Sequence, residues 1–266
     1  VVADDEAGAD VIDALEEVGI SSNGIAVLED WRTTVKTRFI ASRESLIENT
    51  QMMLRVDEES SLEIPEQVAD LLSTSASARL ADAKALVLSD YGKGAVNDET
   101  ALALMATAKE LGVPVICDPK LTGLHRTRGA DAVIFESRGL ELMRRRLFKA
   151  TADEAAIELV EEHGWGALLV LGGQNGVDMY KQEGEHIHVD CTLPSPKQQI
   201  GLIDAAAVAV VVSRILDLSN LDMVHLVNAA CECILQAVDV EHFAIDRRTL
   251  CTRLDEIAWG MQISQR

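Results

Sequence analysis

The stretch Ala85-Leu-Val-Leu-Ser-Asp-Tyr-Gly-Lys-Gly94 passes within one residue from an apolar run to polar, glycine-rich sequence. A short continuous apolar run ended by turn residues predicts a strand covered on both faces. The residues beyond it decide the fold. Residues 98–111 carry a helical pattern, 113–117 form a second apolar run ended by Asp118-Pro-Lys120, and 132–135 form a third. Strands and helices alternating at this spacing predict parallel strands joined by helical crossovers.

Working outward, the pattern predicts a helix over 152–163, a buried strand over 167–171, a turn at Gly172-Gly-Gln-Asn-Gly176, and short strands over 177–180 and 186–189. The last third reads as three helices, 205–216, 221–238 and 247–259. Toward the start, Val1-Val2 reads as the end of a strand. Asp4-Asp-Glu6 then caps a helix with apolar positions Val11, Ile12, Leu15 and Val18 that stops at Gly19. Residues 33–40 and 52–56 alternate in strand fashion across a polar connection over 42–50. The expected class is therefore α/β: a mostly parallel, doubly wound sheet flanked by helices, with a small β-rich, lid-like portion over 33–57. No repeat or low-complexity linker interrupts the 266 residues, so one domain spanning 1–266 is expected.

Hydrophobic residues make up 48% of the chain but aromatics only 3%, so Ala, Val, Leu and Ile must fill the core. The net charge of −20 argues against a nucleic-acid partner, which would require clustered cations to neutralise phosphates. Small anions remain open to it, because a local basic cluster outweighs a diffuse charge screened beyond roughly 8 Å. The five cysteines are odd in number and lack metal-ligand spacing, so buried free thiols and no structural metal are expected. His186 and His188 share a strand face without a third ligand. Met52, Met53 and Met105 read as core filler. Arg144-Arg-Arg146 reads as a solvated helix end. No apolar run reaches membrane-spanning length and no signal-peptide pattern is present, so a soluble, cytoplasmic or other intracellular setting is expected, with no membrane partner. The chain opens on Val1 in a strand end, which predicts an incomplete N-terminus. A sheet edge exposed in this way predicts cover by a partner chain or a homo-oligomer.

Two polar segments come directly after neighbouring strands: Ser89-Asp-Tyr-Gly-Lys-Gly94 and Asp118-Pro-Lys120. Ligands of open parallel sheets bind beyond the carboxyl ends of strands, where glycines allow close approach and Asp90, Lys93, Asp118 and Lys120 supply charge. Lys36 and Arg38 lie two apart on one strand. They therefore share a face, as a solvated surface or as a phosphate grip.

These blocks carry a resemblance. Asp4-Asp-Glu-Ala-Gly8, Thr33-Thr-Val-Lys-Thr-Arg38, Leu54-Arg-Val-Asp57, Ser89-Asp-Tyr-Gly-Lys-Gly94 and Asp118-Pro-Lys120 occur in the order found in ribokinase-like (phosphofructokinase-B) sugar kinases. The chain resembles most the heptose 7-phosphate kinase branch of that family, over nearly its whole length. The resemblance implies a ribokinase-like fold, Mg-ATP as donor, and phosphoryl transfer to the anomeric hydroxyl of a phosphorylated heptose. It implies substrate-binding roles for Lys36, Arg38, Asp90, Lys93, Asp118 and Lys120, with Lys36, Arg38 and Lys93 converging on one anion.

The family's Gly-Ala-Gly-Asp signature, whose backbone N–H groups hold the transferring phosphoryl while the Asp takes a proton, corresponds to Gly201-Leu-Ile-Asp204. Asp204 is the expected base, or else a helix N-cap. Gly201, Leu202 and Ile203 form the expected anion hole, although Ile203 stands where a glycine would leave room for phosphate oxygens. On the nucleotide side the resemblance points to Ser137, Gly172, Gly173 and Asn228. There the family's Thr-Pro-Asn-x-x-Glu has become Phe135-Glu-Ser-Arg-Gly-Leu140, with Glu136 or Glu141 as substitute carboxylates. The Thr-Arg-Gly of the family is Leu171-Gly-Gly173, and its Gly-Thr pair falls at Asp239-Val240. These departures make a non-catalytic, sugar-phosphate-binding or structural descendant the alternative to an active kinase.

Overall fold

The computed structural model describes residues 1–42, 50–193, 195–237 and 244–264. Asp239 and Val240 lie outside the described residues. Two compact units are present, one of Val1–Ala76 with Lys93–Ala95 and one of Ser77–Gly92 with Val96–Arg266.

In the first unit, β1 (Val2–Ala3) precedes α1 (Glu6–Glu17) and pairs in parallel with β2 (Val27–Leu28). A single carboxylate organises this start. Asp5 caps α1 by accepting from the Gly8 N–H, and it also accepts from the backbone N–H and the hydroxyl of Thr33. The Thr33 hydroxyl in turn accepts from the Ala3 N–H at 2.8 Å. These bonds to the charged form hold the Asp5 carboxyl below its ordinary value. Gly8 is required for the close approach, since a Cβ there would lie 2.2 Å from the Ala3 carbonyl oxygen. Next in the chain is a ribbon of β3 (Val35–Ser42) and β4 (Thr50–Glu58), antiparallel, with a register shift between Phe39 and Ile40. Met52 and Met53 are exposed on it, contrary to their expected place in a core, because a two-stranded ribbon supplies no second layer of its own. After the ribbon, α2 (Glu66–Leu80) has no counterpart among the elements expected from the sequence; Ser73, Thr74, Ser75 and Ser77 blur any apolar stripe.

The second unit holds a six-stranded sheet. Strands β5 (Leu86–Ser89), β6 (Val115–Asp118), β7 (Ala132–Glu136) and β8 (Leu168–Leu171) run parallel. Beyond them lie β9 (Val177–Tyr180) and β10 (His186–Val189), each antiparallel to its neighbour, in the order β10-β9-β8-β7-β6-β5. The crossover helices are well punctuated. α3 (Asp98–Leu111) has an Asn97/Thr100 capping box and a left-handed Gly112, while α5 (Ala152–His163) has a Thr151 cap and a left-handed Gly164. Between them, α4 (Ser137–Arg146) starts directly at the end of β7. Ile134, Leu169, Leu171, Val177 and Met179 pack against α6 (Leu202–Ile215) and α7 (Asn220–Gln236). On the opposite face, Phe135 meets Trp165 edge-on and the Tyr180 hydroxyl donates to Asp153 of α5. Helices thus cover both faces, as a doubly wound sheet requires.

The last helix, α8 (Arg247–Ser264), is tied in by a buried charge. Glu232 is fully buried and accepts from Thr192, Asn228 and the Arg253 guanidinium. A buried carboxylate is tolerable when paired and hydrogen-bonded in this way. Of the five free thiols, Cys117, Cys231 and Cys233 are buried, whereas Cys191 is half-buried and Cys251 exposed, on the outward side of α8. His186 and His188 both bond to Asp178, and no three-ligand metal cluster occurs among the described residues. None of their helices is long and apolar enough to cross a membrane.

Candidate functional site

Parallel pairing brings the carboxyl ends of β5 to β8 to one side of the sheet, where the segments at 89–94, 118–120, 136–138 and 172–173 begin. Two clefts of the second unit lie here, and the start of α6 contributes to each: Leu202 lines one and Ile203 the other.

The first cleft, about 320 Å³, is lined by Asp90, Tyr91, Asp118, Lys120, Glu136 and Arg138 together with Ile203. Asp90 is held rigidly. One of its oxygens accepts from the Gly92 N–H at 2.7 Å and the other from Arg126 Nη1 at 2.9 Å, and its side chain is only 6% exposed. Arg126 also bonds Asp98 and the Val96 carbonyl, so one guanidinium ties the glycine loop to the start of α3. Gly123 leaves the space, since a Cβ there would stand 3.0 Å from the Asp90 oxygen. Asp118 accepts from the Ser89 hydroxyl at 3.2 Å. Burial pushes its carboxyl up to about 6; the charges of Asp204 and Glu136 add to the rise, and the Ser89 bond opposes it. Burial and the charges of Asp204 and Asp118 likewise push the Tyr91 hydroxyl up.

The second cleft, about 390 Å³, is lined by Glu136, Ser137, Arg138, Gly172, Gly173, Lys197 and Leu202, among others. The Ser137 hydroxyl donates to the Leu171 carbonyl at 3.1 Å. Gly173 adopts a left-handed φ of 61° in the turn between β8 and β9. Asn228 lies elsewhere: it is buried and donates to the Asp190 carbonyl and to Glu232. Of the two substitute carboxylates, Glu136 lines both clefts. Glu141 is engaged by Arg144 and Arg145, whose bonds hold it down at about 2. Leu140 is buried in the core.

Gly201, with φ of 84°, is the N-cap of α6, so Asp204 sits in the first turn and is not the cap. It is exposed and makes no hydrogen bond or ion pair among the described residues. Of the expected anion-hole donors, the Leu202 N–H is already used, donating to the Gln199 carbonyl at 3.2 Å, and the Leu202 side chain belongs to the core.

In the first unit, Lys36 and Lys93 meet at one carboxylate, that of Glu59. Lys36 Nζ donates to Glu59 at 2.8 Å and to Asp57 at 3.1 Å, and Lys93 donates to the other oxygen of Glu59. Glu59 and Asp57 hold the Lys36 ammonium above its ordinary value. Arg38 is on the same strand, its Nη1 reaching the Lys36 carbonyl at 3.4 Å. Sequence reasoning missed Arg126, Arg138 and Lys197. Arg126 and Lys197 lie in no recognisable block, whereas Arg138 falls within the Phe135–Leu140 stretch at the start of α4; the direction of each is set only by the fold.

A parallel sheet whose strand ends open into two clefts on either side of an aspartate-bearing helix start defines the ribokinase-like class of α/β sugar-kinase folds. The profile of pfkB family carbohydrate kinases matches residues 1–241, and the chain belongs to that family. The Bifunctional protein HldE of Paramagnetospirillum magneticum is 32% identical over 246 residues, covering 90% of this chain and 48% of that protein. HldE of Azorhizobium caulinodans is 32% identical over 80% of this chain and 43% of its own length. The chain thus spans about half the length of these relatives. Among solved structures, a putative ribokinase from Agrobacterium tumefaciens superposes with a TM-score of 0.72 at 16% identity, covering 97% of this chain and 79% of that one. Phosphofructokinase-2 from Escherichia coli in complex with substrates and products gives 0.72 at 16% identity over 97% and 80%. At these identities the likeness establishes the fold.

Proposed function

We propose that the chain is a sugar-phosphate kinase module that transfers a phosphoryl group from Mg-ATP to the anomeric hydroxyl of a heptose 7-phosphate. The observation that carries this reading is the unpaired, exposed carboxylate of Asp204 in the first turn of α6, whose neighbours Ile203 and Leu202 line, respectively, the cleft of Asp118 and Lys120 and the cleft of Arg138 and Lys197. The likeness to HldE supports the choice of acceptor.

In this reading Asp204 accepts the proton of the anomeric hydroxyl as its oxygen bonds to the terminal phosphorus and the bond to the departing ADP breaks. Asp118 and Lys120 receive sugar hydroxyls, and Asp90 shapes the loop beside them. Within the first unit, Lys36, Arg38 and Lys93 are a grip of the kind a sugar phosphate requires. Arg138, Lys197 and the backbone of Gly172 and Gly173 fit a nucleoside polyphosphate through their charge and their close-approach geometry, with Ser137 at the cleft wall. Mg-ATP bound there supplies the phosphoryl group and neutralises its charge. The exposed apolar residues of the β3–β4 ribbon, Phe39, Leu54 and Val56 among them, support a homo-oligomer in which a second copy covers them. Substrates of this kind place the reaction in an intracellular setting.

One observation favours a second reading. The Leu202 N–H is bonded to Gln199, and Ile203 fills a glycine position, so the anion hole is reduced; a non-catalytic sugar-phosphate binder would tolerate this. The deciding experiment is ADP release, measured by a coupled assay with heptose 7-phosphate and with simpler sugar phosphates. Release dependent on the heptose phosphate is expected, and saturable binding of sugar phosphate without release would establish the binder.

A further inference from the structure

One face of the β3–β4 ribbon carries a charge pattern that strand pairing alone disfavours. Lys36 stands opposite Asp57, and Arg38 stands directly opposite Arg55. Like charges opposed across a strand pair are destabilising, so this arrangement works against the ribbon unless an anion lies between them. Arg55 Nε bonds Asp57 at 2.9 Å, while the Arg38 guanidinium reaches only a backbone carbonyl among the described residues.

Glu59, just beyond the end of β4, extends the pattern. One of its oxygens accepts from Lys36 and the other from Lys93, so a single carboxylate bridges two ammonium groups that come from distant parts of the chain. Four cations, Lys36, Arg38, Arg55 and Lys93, gather around two carboxylates, Asp57 and Glu59, in a protein whose net charge is −20. The local excess of two positive charges matches a phosphate monoester, which carries nearly two negative charges at neutral pH. All these side chains are partly solvent-exposed, so a small anion can reach them.

We infer that Glu59 is a resident counter-anion which the phosphate of the acceptor displaces from Lys36 and Lys93, and that Arg55 is a further phosphate-binding residue of the same site. The inference rests on the reading of these cations as the acceptor's phosphate site, and it explains a selectivity that reading leaves open. Any anion entering must outcompete a tethered carboxylate for two ammonium groups. A singly charged carboxylate or chloride does so poorly, whereas a phosphate dianion brings more charge and a third oxygen for the Arg38–Arg55 pair.

The experiment is titration of the full chain with inorganic phosphate by isothermal calorimetry at low ionic strength. Wild type, Glu59→Gln, Arg55→Ala and Arg55→Lys are compared, with sodium acetate as the singly charged control. Glu59→Gln keeps the shape and removes the competitor. It is expected to tighten phosphate binding about fivefold to tenfold and to narrow the preference for phosphate over acetate. Arg55→Ala is expected to weaken phosphate binding about fivefold or more, with Arg55→Lys restoring only part because the forked guanidinium geometry is lost. The opposite signs matter, since damage to folding cannot produce a gain in affinity. Unchanged or weaker phosphate binding in Glu59→Gln overturns the inference, as does absence of phosphate binding in both wild type and Glu59→Gln, or an Arg55→Ala titration identical to wild type. The expected pattern without any ADP release from sugar phosphates would leave this site standing while refuting the catalytic reading.

Discussion

The two clefts flanking the start of α6 are built differently. In the cleft that holds Asp90 and Asp118, the charged groups are fixed by the fold itself: Asp90 between the Gly92 N–H and Arg126, and Asp118 under the Ser89 hydroxyl. In the cleft that holds Ser137, Gly172 and Gly173, Glu136, Arg138 and Lys197 share the wall with apolar Leu171, Leu202 and Leu235, and among the described residues no side-chain hydrogen bond or ion pair fixes Arg138 or Lys197. Preorganised charge reduces the ordering cost of binding, whereas a site of scattered cations must arrange them when the ligand arrives. The contrast is therefore one of preorganisation: the charges at Asp90 and Asp118 are set before any ligand arrives.

The largest effect should come from the residue between the clefts. Asp204→Asn should lower turnover by about 10²–10⁴-fold with little change in unfolding midpoint, because an exposed, unpaired carboxylate does little for the fold. Rates measured against heptose 7-phosphate, beside a thermal melt, check both halves; intact turnover would leave Asp204 as a bystander at the helix start.

Arg126→Ala should come next, since it removes the partner of a buried carboxylate. A loss of about 1.5–3 kcal/mol in chemical denaturation is expected. Acceptor KM should rise more than kcat falls, because the side chain acts through the Asp90 loop; Arg126→Lys should recover part of both.

The third prediction concerns pH. The carboxyl of Asp118 titrates at about 6 in the folded protein, above the roughly 3.9 of an unfolded aspartate. The folded state therefore binds its proton more tightly, and stability from this group is fully present below about pH 4 and lost as pH rises through about 6. Asp118→Asn should remove that slope and melt at a higher temperature than wild type at about pH 7.5, while the two should converge near pH 4. A smaller change is expected from Ile203→Gly, which should tighten nucleotide binding about fivefold by exposing backbone donors, at a helix-propensity cost of about 1 kcal/mol. Leu202 is unsuitable for this purpose, because truncating a core leucine costs about 2–5 kcal/mol.

Much of the contrast between the clefts was legible in the sequence. Apolar runs, one of them ended by Asp118-Pro, marked β5 to β8, and helical patterns marked α3 and α5, to within a few residues, because buried parallel strands and crossover helices write themselves locally. The polar blocks after β5 and β6 marked residues that line one cleft, Asp90, Asp118 and Lys120, for the same reason. The placement of Arg126, Arg138 and Lys197 was not legible, since a cation in a short turn or at a helix start carries no periodicity and its target is set by where separate strands end. That Asn228 turns toward Asp190 and Glu232 was hidden for the same reason: one helix face looks much like another until its neighbours are known. The exposure of Met52 and Met53 depended on the number of layers around the ribbon, which composition does not encode.

The Asp5–Thr33 knot has a kinetic consequence. Three amides, those of Ala3, Gly8 and Thr33, are protected through one carboxylate and one hydroxyl, although they lie up to thirty residues apart. Amides whose acceptors belong to one linked network are expected to open cooperatively, so deuterium should enter all three at a common rate. Asp5→Asn should accelerate them together, and exchange at three unrelated rates would mean that the strand start, the helix cap and the approach to the ribbon fluctuate as separate pieces.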